Sequence, residues 1–389
     1  MRFLWTILAL TAALLTLSAA TAPPPKKKAP VKKKAPVARK RTYPRAPAVT
    51  PQMRQAAHQE INDRLEARPD SVIENAAALI PFFEQLRRTE RAEFESPLRI
   101  LHFGDSHTAA DEWTGTMRQA FQAKFGDGGG GYSLAGRPFA SYRRIDQRRG
   151  NSTGWTTQGL LSPNGDGIYG LGGVSISTNR AGQSVFLEAE AKRIELFYWR
   201  QPGGGPLTFS ENGSAVETIS TDGPEGPGYF QYTSAALGDA QGPRRFELTT
   251  LDRAPVRLFG WVTENPRGVT YEPLGINGAQ ANLMLGWDQR LLAEHLAKRN
   301  PGLIVLAYGT NESGQKDWTY ESYKQAFTTV IQTLRKAAPA ASILVAGPPD
   351  RMTYSRYTLI PYPRLEMIIQ AQRDAAVERR HQAAFSAFA

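Results

Sequence analysis

The chain has 389 residues, of which 41% are hydrophobic and 10% aromatic, a composition typical of a folded protein with room for two domains. It contains no cysteine, which excludes disulfides, thiolate metal sites and a cysteine nucleophile. Residues 1–51 hold seven lysines, four arginines and no acidic residue, which equals the net charge of +11. The remaining 36 basic and 36 acidic residues balance, so the charge gives no reason to expect nucleic-acid binding.

The amino-terminal 51 residues have the composition of an export segment followed by a linker. In residues 1–22, one basic residue precedes an apolar run and small residues follow it, which predicts a signal peptide. An uncleaved anchor is the alternative, although the apolar run is short for a membrane span. Residues 23–51 are rich in Lys, Pro and Ala and are expected to form a disordered linker, which is either a spacer or a contact for anionic envelope polymers. The sequence therefore predicts an exported protein in the periplasm or cell envelope.

Residues 98–108, LRILHFGDSHT, predict a buried strand that ends in a tight turn. A helical pattern follows, with Trp113, Met117 and Phe121 on one stripe. Ser106 would then lie at the carboxyl end of a parallel strand and at the start of a helix, where open α/β sheets bind their ligands. The alternative is that Ser106 only caps the helix.

Residues 141–265 have a different pattern, in which short β-type runs alternate with Gly, Pro, Asn and Asp clusters. Their spacing predicts a β-sandwich. The five glycines between Gly126 and Gly131 lack the ending of a phosphate-binding loop and are expected to form a flexible loop near the site.

The alternation of strands and helices resumes after residue 265. Apolar runs at residues 302–308 and 342–346 predict two more buried strands, and helices are expected at about 282–299, 320–337 and 364–384. Strands that alternate with helices indicate a parallel sheet covered on both faces.

Polar turns follow three predicted strands, at Ser106, at Gly275–Gly278 and at Asn311. The carboxyl ends of parallel strands meet at one edge of a sheet, so these turns should be close together. Acyl transfer needs a nucleophilic oxygen and N–H donors for the oxyanion. A serine hydroxyl, a glycine N–H and an asparagine amide meet that need.

These motifs, Gly104-Asp105-Ser106, Gly275-Ile276-Asn277-Gly278 and Gly309-Thr310-Asn311, resemble the blocks of the SGNH (GDSL) hydrolases. Among these, the chain resembles the peptidoglycan O-acetylesterases that carry an inserted β-sandwich. The resemblance implies a three-layer, flavodoxin-like α/β hydrolase domain formed by residues 52–140 and 266–389 and interrupted by the sandwich at 141–265. It assigns the nucleophile to Ser106 and the oxyanion hole to Ser106, Gly278 and Asn311. No cofactor is implied, and no spacing of acidic residues and histidines indicates a metal.

The sequence departs from this family at the catalytic base. SGNH hydrolases take their base from a late Asp-x-x-His block, and none of the five histidines (His58, His102, His107, His295 and His381) lies in one. We interpret the chain as a truncated reading frame whose base lies beyond Ala389, and a degenerate hydrolase is the alternative. We therefore expect little esterase activity from residues 52–389.

The resulting hypothesis is an exported serine esterase that removes O-acetyl groups from a polysaccharide, peptidoglycan being favoured, through an acyl-enzyme on Ser106. A non-catalytic cell-wall or glycan-binding protein and a polysaccharide O-acetyltransferase are the alternatives. The acetylated polysaccharide is the expected partner, with no nucleic acid, and the oligomeric state is open.

Overall fold

The computed structural model describes residues 50–56, 59, 73–162, 164–234, 242–355, 358–378 and 383–387. The predicted signal peptide and nearly all of the linker lie outside these residues. The chain divides into two units, Met1–Arg68 and Pro69–Ala389. In the first unit, residues 51–56 are helical, and the fold described below is that of the second. No helix within the described ranges is long and apolar enough to cross a membrane.

The elements of the second unit are numbered here in chain order. The strands are β1 (Leu98–Gly104), β2 (Gly131–Leu134), β3 (Arg148–Asn151), β4 (Thr156–Gly159), β5 (Val174–Thr178), β6 (Ser184–Ala189), β7 (Arg193–Arg200), β8 (Pro206–Glu211), β9 (Ser214–Ser220), β10 (Gly226–Thr233), β11 (Arg244–Thr250), β12 (Val256–Glu264), β13 (Val269–Gly275), β14 (Leu303–Ala307), β15 (Ser342–Ala346), β16 (Met352–Ser355), β17 (Thr358–Pro361) and β18 (Ala384–Ser386). The α-helices are α1 (Ile80–Glu90), α2 (Ser106–Ala109), α3 (Trp113–Phe125), α4 (Gln289–Arg299), α5 (Thr310–Ser313), α6 (Tyr320–Ala337) and α7 (Leu365–Val377).

A five-stranded parallel sheet forms the hydrolase-like part, in the order β13-β1-β14-β15-β18. Ile100, Leu101 and Phe103 in β1 have no exposed surface, because side chains on both faces of the sheet are covered. Residues of α4, α6 and α7 cover one face, and residues of α1 and α3 cover the other. This is the predicted three-layer α/β arrangement.

The inserted region is a sandwich of two antiparallel sheets. One sheet has the order β10-β7-β12-β5-β4, with β2 also paired to β12, and the other has the order β3-β6-β11-β8-β9. Side chains such as Leu187, Phe209 and Leu258 alternate inward and fill the space between the sheets. Since β2 precedes residue 141, the first sheet also uses chain from before the predicted insert.

The elements predicted after residue 265 need three corrections. A 3-10 turn at Ala281–Gly286 precedes α4, which begins only after Asp288 caps it by accepting from the Leu291 N–H at 2.7 Å. The last helix, predicted to reach residue 384, ends at Val377, and Ala384–Ser386 instead extends the parallel sheet beside β15. A hairpin of β16 and β17, which the sequence analysis did not predict, follows β15.

The predicted buried stripe of α3 is also wrong in part. Met117 is 38% exposed, whereas Arg118 is only 2% exposed. The guanidinium of Arg118 donates to both carboxylate oxygens of buried Asp111, at 3.1 and 2.8 Å, and Thr114 donates to the same carboxylate. Because this charge is paired and hydrogen-bonded, the polar side of the helix can face the sheet.

The glycine-rich segment lies away from the predicted site. The Gly128 N–H donates to the Val269 carbonyl, and the Asn265 N–H donates to the Gly128 carbonyl. Val269 is the first residue of β13, so the glycines pack at the amino end of that strand, opposite the edge where the polar turns lie. The expectation of a loop near the site was wrong.

Candidate active site

The turn after β1 presents Ser106 at the carboxyl edge of the sheet. Asp105 is buried, and its side chain accepts from the His107 N–H at 2.9 Å, which caps α2. Ser106 is therefore the first residue of a helix, and its own N–H has no partner within that helix. A Cβ at Gly104 would lie 2.8 Å from the Ala307 carbonyl, so the strand can end in this turn only with glycine there.

Asp105 also holds the imidazole of His107. The Nδ1 atom of His107 lies 2.9 Å from an Asp105 carboxylate oxygen, and the His107 side chain is 51% exposed. One carboxylate thus fixes both the turn that carries Ser106 and the ring beside it. No described residue forms a hydrogen bond with the Ser106 hydroxyl.

The second turn, after β13, lies directly beside the first. β1 and β13 are in register at Gly104 and Gly275, and the Ile276 N–H donates to the Gly104 carbonyl at 3.1 Å. Gly278 has a φ of +79°, a backbone conformation that favours glycine, and it is exposed. Its N–H makes no hydrogen bond within the described part of the chain, so it remains available as a donor.

The third turn, after β14, is tied to the second through Asn311. One N–H of the Asn311 side-chain amide donates to the Ala279 carbonyl at 2.9 Å, and the amide has a second N–H for another acceptor. Since Ala279 follows Gly278, this bond holds the two predicted oxyanion donors close in the fold. The strand registers and these hydrogen bonds place all three predicted site residues at one edge.

Glu312 joins the same two turns from beneath. Its carboxylate accepts from the Ala281 N–H at 2.9 Å and from the Gly309 N–H at 3.0 Å, and it is fully buried. Tyr323 donates its hydroxyl to the same group at 3.3 Å. Burial raises the pKa of Glu312 to about 7, and the negative charge of nearby Asp105 acts in the same direction. The sequence analysis missed this residue, although a glutamate three residues after an N-cap residue often accepts from the N–H of that residue, as Glu312 does from Gly309.

A cavity of about 360 Å³ opens beside Ser106. It is lined by residues that follow β1, β14 and β15, among them Ser106, His107, Trp113, Thr310 and Pro348. Gly278 and Asn311 do not line it, because Gly278 follows β13 on the opposite side of β1 and Asn311 is turned towards Ala279. A small acyl group could therefore approach Ser106 from the cavity, with the predicted oxyanion donors on its other side.

Two other described histidines lack access to this edge. His102 is buried in β1, with its Nδ1 atom 2.7 Å from the Tyr271 hydroxyl, and burial lowers its pKa to about 3. His295 is buried among the rings of Phe197, Tyr229 and Phe259, and burial lowers its pKa to about 3 as well. Both are neutral packing residues at physiological pH, and of the described histidines only His107 lines the cavity.

Comparisons with known proteins agree with this architecture. Residues 237–388 match the GDSL-like lipase/acylhydrolase family, a range that includes the Gly278 and Asn311 turns but not Ser106. Among solved structures, the chain is similar to a peptidoglycan O-acetylesterase, with 26% identity, a TM-score of 0.68, and coverage of 82% of this chain and 86% of that chain. A family two carbohydrate esterase from Clostridium thermocellum is 12% identical, with a TM-score of 0.27, over 60% of this chain and 88% of that one. A search of curated protein sequences gave no significant match.

The fold, the family match over residues 237–388 and the similarity to the peptidoglycan O-acetylesterase structure support an SGNH (GDSL) hydrolase. It resembles peptidoglycan O-acetylesterase, and the shared region must include part of the sandwich, because 82% of the chain exceeds the share outside residues 141–265.

Proposed function

We propose that this chain is an exported serine esterase that removes O-acetyl groups from a polysaccharide, with peptidoglycan as the polymer. The observation that carries the proposal is the joining of three turns at one sheet edge, with Ser106, Gly278 and Asn311 on them. The peptidoglycan O-acetylesterase to which the chain is similar supports the choice of substrate.

The reaction follows from the chemistry of these groups. The Ser106 oxygen attacks the carbonyl carbon of an acetyl ester held in the cavity. The bond from this carbon to the sugar oxygen breaks, and the proton lost by Ser106 is delivered to that oxygen, so an acetyl-serine ester and a free sugar hydroxyl form. Negative charge that develops on the carbonyl oxygen is stabilised by the N–H groups of Ser106 and Gly278 and by the free N–H of Asn311. Water then hydrolyses the ester and releases acetate.

The mechanism also needs a general base, because a serine hydroxyl is a weak nucleophile until its proton is taken. Because no described residue is hydrogen-bonded to that hydroxyl, we expect slow hydrolysis by the 389-residue chain. The same observation favours a second candidate function, in which the protein binds the polymer without deacetylating it.

Acetate release from O-acetylated peptidoglycan by the 389-residue chain separates these functions. We expect release above the rate without enzyme, and Ser106→Ala should abolish it with an unchanged melting temperature. His107→Gln tests whether the ring beside Ser106 takes the proton, since a base is needed for both acylation and deacylation. Binding of the polymer without any Ser106-dependent acetate release would refute the esterase and support the binding protein.

For the basic segment at residues 23–51, we propose contact with anionic polymers of the cell envelope. Residues 52–389 have balanced charge, so this segment, with seven lysines and three arginines, carries all of the net charge of +11 except that of Arg2. Its removal should abolish salt-sensitive adhesion to cell-wall material, and adhesion that persists would place the contact on the folded part.

A further inference from the structure

The outward face of the first sandwich sheet forms a second cavity, of about 440 Å³, which is called the sandwich groove here. Its floor crosses three neighbouring strands, because Thr156 pairs with Ser177 and Ser177 pairs with Arg257. Loops that follow β5 and β7 form its walls. The sandwich groove shares no lining residue with the cavity beside Ser106.

The floor of the sandwich groove is fixed by a buried arginine. Arg257 is 8% exposed, and its guanidinium donates to both carboxylate oxygens of Asp166, at 2.5 and 3.0 Å, and to the Ser175 hydroxyl at 3.0 Å. Three hydrogen bonds to two partners hold this side chain in one orientation. The charge of Arg257 is therefore matched by Asp166, and the groove has a rigid base.

The sandwich groove retains hydrogen-bonding capacity that the protein does not use. Ser177 donates to the Gln158 carbonyl oxygen at 3.2 Å, which leaves the amide NH₂ of Gln158 as a donor. Arg180 is exposed, and its guanidinium has no partner among the described residues. Among the described residues, no Asp or Glu lines the groove. An unmatched positive charge beside amide and hydroxyl groups suits a ligand that has both a carboxylate and many hydroxyls.

We propose that the sandwich groove binds an acidic saccharide. Arg180 pairs with a sugar carboxylate, and Gln158 and Thr156 bind ring hydroxyls. The choice of polymer rests on the proposed function: an esterase for a carboxylate-bearing glycan would hold one stretch of it here while another stretch presents its acetyl group to Ser106. No aromatic side chain lines the groove, so recognition depends on hydrogen bonds and charge.

Calorimetric titration of the 389-residue chain that carries Ser106→Ala tests this site without turnover. The probes are a tetrasaccharide of alternating N-acetylglucosamine and N-acetylmuramic acid, which has carboxylates, and the neutral chitotetraose. We expect the acidic probe to bind at least tenfold more tightly. Arg180→Ala should weaken its binding by about 10- to 100-fold, the usual effect of losing a hydrogen bond to a charged group, and Arg180→Lys should restore part of it.

Arg253→Ala is the matched control, because Arg253 is an exposed arginine in the loop before β12 that does not line the groove. It should bind as the Ser106→Ala parent does. Three results would each overturn the proposal. The two probes could bind with equal affinity, the acidic probe could fail to bind, or Arg180→Ala and Gln158→Ala could leave the affinity for the acidic probe within twofold of that of the Ser106→Ala parent. If binding of the acidic probe behaves as expected but acetate release by the wild-type chain does not depend on Ser106, the proposal of a saccharide site in the groove is supported and the proposed esterase function is refuted.

Discussion

The parallel sheet and the inserted sandwich bury their strands in different ways. Leu303 and Ile304 are adjacent in β14, both are buried, and they belong to separate apolar clusters. In β6 and β11 of the sandwich, buried residues alternate with partly exposed ones. A parallel strand in the middle of the sheet is thus covered on both faces, whereas β6 and β11 keep one face partly exposed. In the other sandwich sheet, β12 is buried along its whole length.

This difference decides where each region can place polar groups. In the parallel sheet only the strand ends are open, so Ser106, Gly278 and Asn311 all follow the last residue of a strand. In the sandwich, polar side chains can also lie within strands, as Thr156, Ser177 and Arg257 do across three neighbouring strands. The chain therefore has two kinds of candidate site. The carboxyl edge of the parallel sheet is a candidate catalytic site, and the outward face of the first sandwich sheet is a candidate binding site.

The sharpest test of the comparison uses adjacent residues in each region. Leu303→Ala and Ile304→Ala should each lower the free energy of unfolding by about 2–5 kcal/mol, because both leave a cavity in a packed layer. In β8, Leu207→Ala should cost a similar amount, but Thr208→Ala less than about 1 kcal/mol, since Thr208 is only partly buried. Urea denaturation followed by circular dichroism measures all four, and equal losses at Leu207 and Thr208 would contradict the one-sided burial.

A second prediction tests whether the carboxyl edge of the parallel sheet is the catalytic site. Asn311→Ala should lower kcat for acetate release by about 10²–10³, the usual cost of removing one oxyanion donor. Asn277→Ala is the matched control: it removes an exposed amide in the neighbouring turn that donates to Ser141 at 2.6 Å. The control should change kcat less than about threefold. An Asn311→Ala effect on KM alone would assign this side chain to substrate binding.

The third prediction uses Glu312, which has its pKa raised to about 7 by burial. Between about pH 4.5 and pH 7 the folded protein keeps a proton that the unfolded chain has released, so the free energy of unfolding falls as pH rises. The stabilisation is complete below pH 4.5 and lost above pH 7, and amounts to about 3 kcal/mol at most. Glu312→Gln cannot lose this proton, so its stability should fall less steeply over that range.

Denaturation midpoints at pH 5, 6, 7 and 8 measure this slope. Glu366→Gln, an exposed change on α7, is the control and should run parallel to the wild type. If Glu312→Gln also runs parallel, the carboxyl does not hold a proton in the folded state. We also expect Glu312→Gln to be less stable than the wild type by a constant amount at every pH, because the glutamine NH₂ cannot accept from the Gly309 N–H.

The succession of strands and helices along the parallel-sheet segments and the three polar turns could be predicted because they are local features. A run such as Leu303–Ala307 is apolar at every position, and a glycine-containing turn follows it at once. The helix at Tyr320–Ala337 was predicted with the same bounds, because its apolar spacing is regular and Thr319 caps it. The parallel order of these units then brings Ser106, Gly278 and Asn311 to one edge.

The sequence by itself therefore determined the elements and the edge that holds Ser106. The tertiary structure alone decided which distant groups meet. Arg118 faces the core because Asp111 is there to pair with it, and Glu312 lies beneath the site because the Ala281 and Gly309 N–H groups converge on its carboxylate. The glycine-rich segment lies at the amino end of β13 because it bonds to Val269. The bonds from Ala281 to Glu312 and from Gly128 to Val269 join residues far apart in the chain, so neither periodicity nor local turn chemistry encodes them.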